Sequence, residues 1–489
     1  MTKIFILTIL PAALLVSGCK KYLAEEPKKQ TTIQTADQLE EMEDNATLYT
    51  YETNYTAGYS TDDTEIPADV YKNNNTRYTI DYIYYYVFNV DQISGAAADA
   101  LWNGEYKNIF AANLILSQVD KVSGDAATKN RVKADAYFLR AYSYWMLANY
   151  YCLPYTKANE SQPGVPLKKT TDYEESLSRA TLKETYDFIL ADIEEAQKLA
   201  PDDVNPKKTW RVSKKAIEAF LSRYYLFTGD YDASLAHANN ALATATATLV
   251  DYKTIKPGNS ASYTNPAATL SYCELNDWSP VKFLYWQELY YARFSYIATQ
   301  WYQPSSSLMA LYDQTNDLRY KLFFIPNGGR RFSVITPPAF RYTMFYDGRY
   351  LPSGPTVAEV LLNKAEALAR KGDFAGAMAP VNTLRDKRMS VSAPLAATDK
   401  MDAIKKVLEE RRRELPFSMR WLDIRRFSIN EIPDDDVTVT HNFFNVGIGT
   451  VDINTPKTYT LAPGSKRYAV PINGVEMDAS KGQITQNAY

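Results

Sequence analysis

The sequence predicts a mainly α-helical protein in which helix pairs form a scaffold for large irregular loop regions. Small and apolar residues recur every three or four positions over about 101–245 and 356–428. One device appears twice: a helix stopped by Gly229-Asp230-Tyr231 or by Gly372-Asp373-Phe374, then an alanine-rich helix. Stretches rich in Pro, Ser, Asn and aromatics interrupt this pattern at about 50–100, 250–355 and 429–489.

The elements follow in chain order. Residues 1–18, MTKIFILTILPAALLVSG, have the charged start, apolar run and small residues of a secretory signal, and the run is too short to span a bilayer. Val16-Ser17-Gly18-Cys19 resembles a bacterial lipobox, with Val where Leu is usual. Cys19 is thus the expected lipidation site, and residues 19–489 the expected single mature domain. Residues 20–100 are polar, with one helix candidate at 37–48. Trp102, Tyr106, Ile109 and Asn113 open the helical pattern, and 130–151 places Ala134, Phe138, Ala141, Trp145 and Ala148 on one face. Thr181 with Glu184, and Thr356 with Glu359, read as capping boxes, and Ser213 as a cap. The Gly-Asp-aromatic turns, with small residues where helices approach closely, are similar to tetratricopeptide units.

Composition narrows the chemistry. The 489 residues carry 54 basic and 57 acidic side chains, a net charge of −3, which offers no surplus to neutralise nucleic acid. Three cysteines and two histidines, His237 and His441, are too scattered for zinc-site spacing and lack a G-x-S-x-G elbow, so neither a metal nor a cofactor is expected. Cys152 and Cys273 could pair in an oxidising compartment. Asp62, Asp63 and Glu65, and the run 434–436, lack EF-hand spacing and read as solvated turns rather than Ca²⁺ ligands. The 39 tyrosines stand out, since Tyr joins a flat apolar face to a polar tip.

Segments along the chain resemble one family, the SusD/RagB-like outer-membrane nutrient-binding lipoproteins of the starch-utilisation-system type. They are Cys19 with KKYLAEEP, the Trp102–Asn113 pattern, Phe138-Leu139-Arg140-Ala141, and Trp210-Arg211-Val212-Ser213 before the first turn. EVLLNKAEALA at 359–369 and the end Gln486-Asn487-Ala488-Tyr489 belong with them. Most specific is Glu410-Arg411-Arg412-Arg413-Glu414-Leu415 followed by Arg420-Trp421-Leu422-Asp423-Ile424-Arg425-Arg426. The resemblance implies a non-enzymatic protein with a tetratricopeptide-like scaffold, lipid-anchored in the outer membrane and surface-exposed. It also implies an oligosaccharide ligand, delivery to a SusC-like TonB-dependent transporter, and no nucleic acid. Lys20 and Lys21 precede the acidic Glu25 and Glu26, a departure that bears on surface export. Binding of peptides or another non-glycan nutrient is the alternative reading, and a glycoside hydrolase a more distant one.

Sugar rings lie flat on aromatics while their hydroxyls bond polar side chains. Two segments have that composition. Residues 73–88 supply Asn73, Arg77, Tyr82, Tyr84 and Tyr86, and residues 277–302 supply Trp278, Trp286, Tyr290, Arg293 and Trp301. Each also has a purely structural reading: Tyr82, Tyr84 and Tyr86 alternate as in a half-buried strand, and Trp286 and Tyr290 have helical spacing. Residues 408–427 hold six arginines among Glu409, Glu410, Glu414 and Asp423, which reads as an internal lock of Arg forks on carboxylates, carbonyls or Trp421.

Overall fold

The structure, a computed structural model, describes residues 33–53, 56–93, 99–244, 246–256, 273–296, 302–326, 340–345 and 350–489. Cys19 and Trp301 lie outside the described residues.

Helices Ala100–Gln118, Ala126–Tyr151 and Leu182–Leu199 pack side by side. Lys214–Thr228 pairs with Tyr231–Leu242, which packs on Val357–Arg370, and that helix pairs with Phe374–Arg388 and Lys400–Glu414. Alanines let the helices approach closely: Ala216, Ala219, Ala238, Ala241, Ala365, Ala369 and Ala377 are all fully buried. Both Gly-Asp-aromatic turns share one geometry. Gly229 (φ 82°) and Gly372 (φ 93°) adopt the left-handed conformation. Asp230 and Asp373 then cap the next helix by accepting from the N–H groups of Ala233 and Gly376. A Cβ at either glycine would meet nothing within 4 Å, so the requirement is purely conformational.

Thr181 and Glu184 form the full reciprocal capping box. At Thr356 only half forms. Its hydroxyl accepts from Glu359 N–H, but the Glu359 carboxylate turns inward to Arg223 (2.7 Å), where a charged partner outcompetes a backbone amide.

Two expectations of local structure are corrected. Tyr82, Tyr84 and Tyr86 lie not on a strand but in helix Ile80–Tyr86, capped by the Thr79 side chain and enclosed on several sides. The region after 429 is not wholly irregular: Val439–Gly447 and Thr450–Leu461 form an antiparallel hairpin with a bulge between Phe444 and Asn445. His441 ties that hairpin down, stacked on Tyr86 (4.0 Å between rings) with its two nitrogens near the carbonyls of Tyr86 and Thr61.

Described residues between Val250 and Leu351, with Phe417, build a separate aromatic core around Phe283, Trp286, Phe294, Tyr342 and Phe345. Cys152 lies in the main helical core and Cys273 in this second one, so the pairing considered from sequence does not form.

The six arginines of the 408–427 stretch face inward onto partners. Arg411 pairs with Asp423 (2.7 Å), Arg413 with Glu410 (2.9 Å), and Arg426 with Glu366 (2.6 Å) and Asp423 (2.9 Å). Arg425 bonds the Cys152 carbonyl. Guanidinium stacking goes to Phe227 and Phe427 under Arg426 rather than to Trp421, whose ring packs on Tyr468. Arg420 grips Asp62 with two bonds (2.7 and 2.8 Å), and Arg412 takes Asp63 (2.7 Å). The 62–63 pair is therefore a structural anion pair, not a solvated turn. Asp435 likewise pairs with Arg370 (2.7 Å), while Asp434 and Asp436 are exposed.

Gly229→Ala and Gly372→Ala are each expected to lower stability by about 1 kcal/mol in denaturant melts, with the Asn variants nearer wild type. Arg420→Ala should cost more, about 1.5–3 kcal/mol, because it removes two charge-assisted bonds and leaves half-buried Asp62 with Arg412 alone (3.2 Å), and should leave ligand choice unchanged. Burial alone would raise the Asp62 pKa, but Arg420 and then Arg412 bring it down to about 2. An unfolded Asp titrates near ~3.9, so this contribution is complete above about pH 4 and lost as pH falls toward 2. Thermal melts across that window should show the loss in wild type and a flatter profile in Arg420→Ala.

Candidate functional site

Strands Tyr51–Thr53, Phe294–Tyr296 and Tyr350–Pro352 form a three-stranded sheet with Phe294–Tyr296 in the centre, parallel to the first strand and antiparallel to the third. The register pairs Tyr51 with Phe294 and Tyr296 with Tyr350. Because side chains alternate, Tyr51, Phe294, Tyr296 and Tyr350 share one face, and Glu52, Ser295 and Leu351 the other. The second face is sealed into the protein. Glu52, 1% exposed, accepts from Arg293 Nε and from the Tyr142 hydroxyl, both at 3.3 Å.

The first face runs outward from a buried floor. Phe294 packs on Phe283 at 4.5 Å between centroids, and Phe283 on Tyr350 at 5.0 Å. On that floor stand three half-buried tyrosines: Tyr296 stacks on Tyr350 (4.8 Å, 23°), and Tyr51 lies 5.2 Å from Tyr350. Burial first, then the neighbouring Tyr296, pushes the Tyr51 phenol up to about 12, so it stays a neutral donor and acceptor. Among the described residues its hydroxyl has no hydrogen-bond partner. Fully buried Phe345 extends the floor to half-buried Trp278 (6.0 Å, 17°), over which Lys282 Nζ sits at 4.6 Å. Flat rings, an unused hydroxyl and a nearby ammonium suit a neutral, hydroxyl-rich ligand with apolar C–H faces.

Of the residues singled out from sequence, Trp278 lies on this surface. Asn73 and Arg77 are exposed, on helix Ala68–Asn74 and the turn Asn75–Arg77, and the Asn73 amide donates to the Asp69 carbonyl. Tyr82 is half-buried against Tyr59 and lines a different cleft of about 490 Å³ with Asp81, Asp99 and Tyr489. Four others are corrected from ligand contacts to interior residues. Tyr84, 3% exposed, donates to the Gly447 carbonyl and accepts from Gly449 N–H, pinning the hairpin tip. Trp286 (3% exposed) fills the second core, and Tyr290 (1%) donates to the Ala241 carbonyl. Arg293 is fully enclosed, held by Glu52, Glu105 and the Tyr49 carbonyl. Tyr86 is also buried and accepts from Ile66 N–H.

Tyr51 and Tyr350 escaped the sequence reading because each sits in a three-residue strand whose neighbouring aromatics, such as Tyr49 and Phe345, are buried, so nothing local marks the half-buried ring. Only the pairing of segments some 240 and 55 residues apart makes them neighbours. Among the described residues no group of three or more His, Cys, Asp or Glu is placed to hold a metal ion, and no helix is long and apolar enough to cross a membrane.

Stacked helix pairs, with an aromatic face set on short strands beside them, define a tetratricopeptide-like scaffold. Residues 21–226 match the family described as starch-binding associating with outer membrane, and residues 357–489 match the SusD family. The chain belongs to the SusD/RagB-like family. It is similar to SusD-like protein P2 of Formosa agariphila, 28% identical over 140 residues, a match spanning 28% of this chain and 26% of that protein. Among solved structures, a putative sugar binding protein from Bacteroides vulgatus superposes with TM-score 0.64 at 22% identity, covering 94% of this chain and 99% of the other. A SusD superfamily protein from Bacteroides thetaiotaomicron gives 0.65 at 18%, covering 93% and 100%. A laminarin binding SusD-like protein gives 0.57 at 17%, covering 93% and 99%.

Arg293→Met should destabilise the protein by about 3–5 kcal/mol, because it leaves Glu52 and Glu105 buried without their cation. Circular dichroism melts should register that loss; a ligand-contact role would instead leave the melting temperature in place.

Proposed function

We propose that the protein is a non-catalytic lipoprotein of the outer membrane that binds an oligosaccharide nutrient and passes it to a SusC-like TonB-dependent transporter. The observation that carries the binding reading is the face of Tyr51, Tyr296 and Tyr350, three half-buried rings fixed on a sealed sheet. Rigid tyrosines present stacking area at small entropic cost, which suits a soluble glycan. Family membership supports it, as do the laminarin-binding and sugar-binding descriptions of two structural relatives. The lipobox at Cys19 supports anchoring of the mature chain, and the family description supports the outer membrane. Trp278 extends the surface toward Lys282.

A glycan and peptide array on the soluble form beginning after Cys19 tests the ligand class. Glycan binding without accumulation of reducing ends is expected. Tyr296→Ala and Tyr350→Ala should each weaken that binding about 5- to 30-fold, or about 1–2 kcal/mol, with little change in melting temperature. A folded Tyr51/Tyr296/Tyr350 triple alanine variant that binds as wild type does would sink the assignment of this face. Binding of peptides alone would replace the glycan, and sugar release would make the protein a hydrolase.

A further inference from the structure

We propose a second carbohydrate-contact site, distinct from the tyrosine-faced sheet, on the loop of residues 167–178, with Tyr173 as its stacking ring. This inference rests on the glycan-binding reading above. Tyr173 is 84% exposed and lies on Phe110, itself 38% exposed, with ring centroids 5.8 Å apart and planes 28° from parallel. One face of the Tyr173 ring is backed by Phe110 and the rest is open to solvent.

The loop that carries it is braced across three helices. The Asn113 amide, from helix Ala100–Gln118, donates to the Lys168 and Thr170 carbonyls (3.1 and 2.9 Å), and is fixed from behind by Arg140 at 2.6 Å. The Tyr144 hydroxyl, from helix Ala126–Tyr151, donates to the Lys168 carbonyl (2.9 Å). Lys169 Nζ lies 5.3 Å over the Phe188 ring of helix Leu182–Leu199. Inside the loop the Glu175 carboxylate gathers the N–H groups of Lys169 and Thr170 (3.0 and 3.2 Å). The exposed ring is therefore presented by an ordered backbone, which lowers the entropic cost of a contact.

Size and charge choose the ligand. Two part-exposed rings offer roughly 250 Å² of apolar surface. A stable protein interface needs about 800 Å² from each side, whereas one pyranose ring covers one tyrosine. Asp172 and Glu174 flank the ring, exposed. Beside the loop a shallow cleft of about 650 Å³ is lined by Lys169, Ser176, Ser178, Arg179, Glu184 and Asp187. Charges of both signs interleave here and leave no net preference for an ion, while hydroxyl, carboxylate and cationic groups all bond sugar hydroxyls, so a neutral saccharide chain fits.

The test uses the whole soluble protein, a panel of soluble α- and β-glucans, mannans and xylans, and the short oligosaccharides of each. Affinity electrophoresis and titration calorimetry compare wild type, Tyr173→Ala, the sheet triple variant, and their combination. Because Tyr173 is exposed, its alanine variant should melt within about 1 °C of wild type. Tyr173→Ala should weaken binding of a long polysaccharide about 10-fold by removing bivalency, yet leave short-oligosaccharide affinity at the sheet unchanged. Residual binding of the sheet variant should vanish in the combination. Wild-type affinity of Tyr173→Ala for long and short chains alike overturns the second site while leaving the sheet reading intact. Loss of all binding in Tyr173→Ala, with none in the sheet variant, overturns the sheet reading instead. A wild type that binds nothing on the panel overturns both. If Tyr173→Ala abolishes association with another protein and leaves glycan binding unchanged, the saccharide assignment is overturned.

Discussion

A chain of buried arginine–carboxylate contacts holds this molecule in register. It starts under the three-stranded sheet, where Arg293 pairs with Glu105 and Glu52, and passes through the Tyr142 hydroxyl to Arg223 (3.2 Å). Arg223 takes Glu359 in two bonds, Arg411 lies 3.8 Å from Glu359 and pairs with Asp423, and Arg426 joins Asp423 to Glu366. Arg370 then links Glu366 to Asp435. Desolvating each such ion costs several kcal/mol, and only complete pairing offsets it. The outcome differs from site to site. At Glu366, burial would raise the pKa, yet Arg426 and Arg370 outweigh it and hold the carboxyl well below the usual range. At Glu288, burial wins over Arg388, helped by Glu414, and the pKa rises to about 7.

The cost of mispairing gives the network its specificity. A Leu placed against the wrong Val gives up a little packing, whereas an Arg shifted by one helical turn leaves a bare charge in the interior. Elements joined this way are far apart in sequence: Arg420 and Asp62 differ by 358 positions, Arg293 and Glu52 by 241. Short alanine-faced helices supply close packing but little side-chain shape to define which neighbour is correct. Charge pairing supplies that choice, and through Glu52 it also sets the seat of the sheet whose other face carries the tyrosines.

Much of the scaffold was legible because its signals are local. Caps, the two glycine turns and three-to-four spacing all act within one or two helical turns, as at Thr181 and Gly229. The arginine stretch was legible as a lock because its own carboxylates are close in sequence, although Asp62 and Asp63, its distant partners, looked like a solvated turn. The hairpin was missed because Thr450–Leu461 is exposed along most of its length and carries Thr, Asn and Lys instead of an apolar alternation. The site was legible only as a composition. Aromatic-rich segments mark both cores and surfaces, and burial divides Trp278 from Trp286, eight residues on, by tertiary packing that no local pattern encodes.

This division of labour has a consequence for how the ligand face can vary. Tyr51, Tyr296 and Tyr350 are half-buried rings that pack on one another and on Phe283, so truncating one removes stacking area without stranding a charge. Arg293, directly beneath, is fixed by ions on both sides and cannot change alone. The charge pairs and the half-buried rings thus lie on opposite faces of three short strands. Substitution on the outer face changes the ring area it presents and leaves the fold in place, because the term that selects the fold lies underneath and is electrostatic.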